Sequence, residues 1–92
     1  MRKIYVGDTG TLIGLNTLVD LSNSTTVSII AEKPSGVTVT WTGFFNNTEV
    51  QYITNPTSLD EPGIWKLQSH VINPFGEWHG EVVYMTVYDL YT

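Results

Sequence analysis

Apolar and polar positions alternate with a period of two along most of the chain, and no window carries a sustained i, i+3, i+4, i+7 apolar series. That is the pattern of half-buried strands, not of amphipathic helices. Residues 3–6 predict a short first strand, ended by Gly7-Asp8-Thr9-Gly10, and residues 11–16 predict a second. Asp20, Leu21, Ser22, Asn23 and Ser24 then supply turn chemistry. Residues 25–33 form the next strand, with Val27, Ile29 and Ala31 on one face. Pro34-Ser35-Gly36 closes a tight hairpin, because proline presets φ at the second turn position and glycine tolerates positive φ near the end. Residues 37–44 follow, with Val37, Val39 and Trp41 on one face and Thr38, Thr40 and Thr42 on the other.

Asn46-Asn47 marks another turn, and residues 48–54 carry Val50 and Tyr52 on one face. Asn55-Pro56-Thr57-Ser58 breaks the ladder and residues 59–63 form a corner. Residues 64–72 predict a long strand, Asn73-Pro74-Phe75-Gly76 turns it, and residues 79–89 predict the last strand. Seven short strands at regular spacing, with no helix among them, predict an antiparallel β-sandwich.

Length and composition narrow this. A chain of 92 residues makes one domain, residues 1–92, with a core of modest size. Valine, isoleucine and threonine make up about a third of the residues, as strands favour. Cysteine is absent, so neither a disulfide nor a thiolate nucleophile is available. The net charge is −5, and the four basic residues, Arg2, Lys3, Lys33 and Lys66, are too scattered to track a phosphate backbone. Nucleic acid is not an expected partner. Neither is a membrane, because no apolar run approaches the roughly 20 residues that span a bilayer. The first eight residues turn polar before a signal-peptide core forms.

Candidate chemistry is sparse. His70 and His79 flank the last hairpin turn, with Glu77 and Glu81 nearby. Whether they share a face depends on the hairpin register, since a slip of one residue separates them. The expectation is two ordinary histidines and no metal. Asp60 and Glu61 are adjacent carboxylates, expected to stabilise a turn. No Gly-x-Ser-x-Gly elbow, phosphate loop or dinucleotide fingerprint occurs. The chain reads as a non-enzyme without a cofactor. Asn23-Ser24-Thr25 and Asn46-Asn47-Thr48 fit the glycosylation pattern but are most simply turns.

Two stretches carry a resemblance. The segment Leu59-Asp60-Glu61-Pro62-Gly63-Ile64-Trp65-Lys66-Leu67 resembles the E–F corner of immunoglobulin-like domains. There Gly63, Trp65 and Leu67 take the small, aromatic and cysteine positions. The resemblance implies that Trp41 is the buried tryptophan of strand C, and that Val27 or Ile29 packs on Leu67 in place of a disulfide. In addition, Tyr5-Val6-Gly7-Asp8-Thr9-Gly10-Thr11, Asp20-Leu21-Ser22, Lys33-Pro34-Ser35-Gly36, the 59–67 corner, Gly80-Glu81 and Val87-Tyr88 occur in one order. That order is similar to small β-sandwich virion proteins of tailed bacteriophages, including the N-terminal domain of baseplate upper proteins.

This resemblance implies a structural protein that assembles in the host cytoplasm into a virion. The tail, baseplate or fibre-attachment region is the expected place, and capsid decoration is the competing one. The implied partners are other virion structural proteins, in a homo-oligomer or symmetric array. Aromatic residues supply the interface candidates: Phe44, Phe45, Phe75, Trp78, Tyr84 and Tyr88. The last strand has apolar residues on both faces, with Val83, Met85 and Val87 on one and Val82, Tyr84 and Tyr88 on the other. A carbohydrate- or receptor-binding module, with Phe75 and Trp78 stacking on a sugar ring, is the alternative of another class.

Overall fold

A computed structural model describes residues 3–18 and 20–90. Among the described residues, eight strands run in chain order: β1 (Ile4–Tyr5), β2 (Leu12–Asn16), β3 (Thr26–Glu32), β4 (Thr38–Thr42), β5 (Phe44–Asn46), β6 (Glu49–Ile53), β7 (Gly63–Asn73) and β8 (Gly76–Tyr88). They form a five-stranded sheet in the order β1-β8-β7-β3-β4 and a three-stranded sheet in the order β2-β6-β5. No described residue is helical.

The two sheets share one core. Ile13, Leu15 and Val50 come from the small sheet, and Val27, Ile29, Ala31, Trp41, Trp65, Leu67, Val71 and Val87 from the large one. Leu21 and Leu59 plug it from loops. Trp41 bridges the sheets, stacking on Tyr52 at 4.8 Å and on Trp65 at 5.8 Å.

Three expectations need correction. The strand expected over residues 37–44 is two strands. Gly43 still donates its N–H to the Val27 carbonyl, after which the chain leaves the large sheet and Phe44 pairs with Gln51 in the small one. The ladder is also not wholly antiparallel, because β1 runs parallel to β8, pairing Ile4 with Val87. Finally, Val27 and Ile29 do not face Leu67 across the core. They lie in β3, hydrogen-bonded beside β7 in the same sheet, where Leu67 pairs with Ala31.

The turns form as their residues dictate. Gly36 donates to the Lys33 carbonyl at 2.8 Å and takes φ 94°. Asn73 pairs with Gly76 around Pro74 and Phe75, closing the β7–β8 hairpin. Buried Thr54 fastens the loop between β1 and β2: its hydroxyl donates to the Asp8 carbonyl and accepts the Thr11 N–H, both at 3.1 Å.

One irregularity positions the side chains discussed below. The β7–β8 register shifts between Gln68, paired with Val82, and His70, paired with His79. Three steps along β8 therefore match two along β7, a β-bulge at Gly80 and Glu81. A Cβ on residue 80 would meet the Ser69 hydroxyl, so glycine there leaves that side chain its place. Gln68 Nε2 donates to the Gly80 carbonyl at 2.9 Å, satisfying a group that the bulge removes from the ladder.

Candidate interaction surfaces

The bulge reverses the inside–outside alternation of β8. On its C-terminal side, Val83, Met85 and Val87 pair with Leu67, Trp65 and Gly63 on the core-facing side. Val82 and Tyr84 pair with Gln68 and Lys66 on the outer side. On its N-terminal side, Trp78 pairs with buried Val71 and faces inward, while His79 joins His70 outside.

The six aromatic candidates do not form one patch. Phe75 is 87% exposed at the hairpin loop and Trp78 is 50% exposed beside it. Trp78 walls a groove of about 390 Å³ whose polar lining includes Thr17, Asp20, Ser24 and Asn73. Phe44 and Phe45 sit on β5, at the edge of the small sheet. Phe45 pairs with buried Val50 and Phe44 with Gln51, so they face opposite ways, yet both are exposed. Tyr84 is 66% exposed on the outer face of the large sheet. Tyr88 is half-buried, with Tyr5 packed beside it and Lys3 Nζ 4.8 Å above its ring.

Aliphatic residues enlarge these surfaces. On the outer face, exposed Ile64 and Val82 accompany Tyr84, with Ile30 alongside across β7. Ile64 is not among the sequence candidates, since the corner pattern around it is carried by its inward neighbour, Trp65. Its parity was the available signal, since Ile64, Lys66, Gln68 and His70 share a face.

On the inner face, the three-stranded sheet stops short. Val83 is 44% exposed, and a groove of about 550 Å³ runs between β8 and β2, lined by Leu12, Ile13, Leu15, Leu67, Val83 and Met85. β2 has only β6 as a neighbour among the described strands. Thr11 and Thr17 direct their ladder bonds toward Thr54 and Thr48 on the β6 side. By the alternation of antiparallel strands, Leu12, Gly14 and Asn16 turn their N–H and C=O groups toward the open edge.

The polar candidates also find places. Asp60 accepts a hydrogen bond from Lys33 Nζ at 2.8 Å, and Glu61 accepts the Ser35 N–H and hydroxyl at 3.1 and 2.9 Å. Both carboxylates thus hold the β3–β4 turn against the 59–63 corner. His70 and His79 stack with ring centroids 4.6 Å apart, and His70 Nε2 lies 2.8 Å from Glu77 Oε1. The donor atoms of His70, Glu77 and His79 all fall within 4.8 Å of one another, and Glu81 is not part of this group.

No family model, curated protein or solved structure matches the chain.

Proposed function

We propose that this chain is a non-enzymatic structural module of a tailed-phage virion, placed in the tail, baseplate or fibre-attachment region. It works by burying its uncovered apolar strips against neighbouring subunits in a symmetric assembly. The observation that carries this reading is β8, which exposes Val82 and Tyr84 on one face and Val83 on the other. A strand at rest in a lone sandwich needs only one buried face. Apolar exposure on both faces, beside an open β2 edge, is what a neighbour would cover.

The strand order supports an immunoglobulin-like sandwich behind this role. β2-β6-β5 corresponds to strands B-E-D, and β8-β7-β3-β4 to G-F-C-C′ of the variable-type arrangement. In that correspondence β7 is strand F, and Trp65 and Leu67 hold the corner positions assigned from the sequence. Trp41 stands one strand later than strand C, on C′, and reaches the core from there.

Size is compatible with several simultaneous neighbours. A standard contact of about 800 Å² per partner takes roughly a seventh of the 5777 Å² surface. Two or three such contacts fit on one subunit, as a ring or lattice requires, and weak contacts gain from multivalency once neighbours are fixed. Capsid decoration would use the same mechanism at another address. The test is incorporation of Tyr84→Asp or Phe44→Asp into particles. Both side chains are exposed, so the variants should fold yet fail to incorporate; normal incorporation of both removes these residues from the interface.

A second reading rests on Trp78. An exposed indole beside Asp20, Asn73 and Ser24 offers a stacking face and hydrogen-bonding groups together, the chemistry of a carbohydrate-binding groove.

A further inference from the structure

We infer that His70, Glu77 and His79 form a binding site for a divalent transition-metal ion, zinc in the first instance. The three side chains stand on the outer face of one hairpin. His70 and His79 are direct cross-strand partners, and Glu77 lies two residues along β8 from His79 on the same face. The Gly80–Glu81 bulge creates this arrangement. With unbroken pairing, His79 would point into the groove between the sheets and the cluster would not exist.

The donor spacing fits a metal. Ligand atoms held tetrahedrally at about 2.0–2.2 Å from zinc stand roughly 3.3–3.6 Å apart from one another. His70 Nε2 and Glu77 Oε1 are already 2.8 Å apart, joined by a proton that a cation would replace. His79 closes the remaining gap, within the 4.8 Å span of the group, by turning its exposed ring out of its stack on His70. His70 is the fixed member: its side chain is 19% exposed, and it sits beside buried Ser28 on β3.

The donor set selects the kind of ion. Two imidazoles and one carboxylate suit zinc and its first-row neighbours, whereas magnesium and calcium prefer all-oxygen shells. Three protein ligands leave a tetrahedral ion one open position, which faces solvent. A bound ion would tie β7 to β8 next to the hairpin loop and leave the core untouched.

Calorimetric titration of zinc chloride into chelator-treated protein tests this, with magnesium chloride as the control ion. The wild type should take up one zinc per chain with a Kd on the order of micromolar, and no magnesium. His79→Ala and Glu77→Gln alter exposed side chains, so both variants should keep the wild-type circular dichroism spectrum while binding zinc at least about tenfold more weakly. Absence of saturation up to about millimolar zinc overturns the site. So does zinc binding of unchanged strength in both folded variants, because the ion would then sit elsewhere.

Discussion

Trp65 donates its indole N–H to the backbone carbonyl of Glu61, four residues upstream, at 3.0 Å. The bond closes the corner that leads from the small sheet into β7. Trp65 itself is fully buried, stacked on Trp41. One side chain therefore fills the core and satisfies the turn that precedes it, the job a tyrosine does in the E–F corner of immunoglobulin-like domains.

Trp65→Ala should cost about 3–5 kcal/mol, because it opens a cavity at the centre of the core. For a domain whose whole stability is of order 5–15 kcal/mol, that is a large share. Trp65→Phe keeps most of the ring and loses the hydrogen bond, so its cost should be smaller, about 1–3 kcal/mol. Urea denaturation of the three proteins checks both the order and the gap. Equal losses would mean that ring volume contributes nothing beyond the N–H bond.

Gly63 takes φ 128°, and a Cβ there would meet Pro34 Cγ at 2.8 Å. The corner thus packs directly on the β3–β4 turn. Gly63→Ala should destabilise by about 1–3 kcal/mol, from backbone strain and from the clash together. A thermal melt within a degree of wild type would contradict the close approach.

The Lys33–Asp60 ion pair joins the same two loops but should matter less. Asp60 is nearly half exposed, so solvent screens the attraction. Asp60→Asn should cost no more than about 1 kcal/mol. A loss comparable to that of Gly63→Ala would show that charge, and not packing, fastens the turn.

Trp78→Ala separates the two functional readings. In the assembly reading, the variant binds no glycan because the wild type binds none. In the carbohydrate reading, wild-type protein shifts its Trp78 indole resonance on glycan titration and the variant loses affinity about tenfold, the loss of one good stacking contact. Nuclear magnetic resonance against a panel of mono- and oligosaccharides distinguishes them.

Much of the strand layout was legible, because alternation and turn residues are local signals. Lys33-Pro34-Ser35-Gly36 and Asn73-Pro74-Phe75-Gly76 turn where their chemistry requires. The sheet switch at Gly43 was not legible. Trp41 and Phe45 keep the same parity across it, so the pattern runs on while the chain changes partners. Parity also says that Leu67 faces inward, but not which sheet lies opposite; Ile13 and Leu15 of β2 line the groove beside it. The histidine cluster depended on one bulge. Gly80 was its only visible sign, and a single glycine cannot fix a register.

As proposed above, this chain is a repeated structural component of a phage particle. Quantitative mass spectrometry of purified virions, with heads and tails separated, tests it most directly. The chain should appear in the tail fraction, at a few to some tens of copies per particle. Hundreds of copies with the heads would move the same module to the capsid surface, and absence from both fractions would contradict the claim.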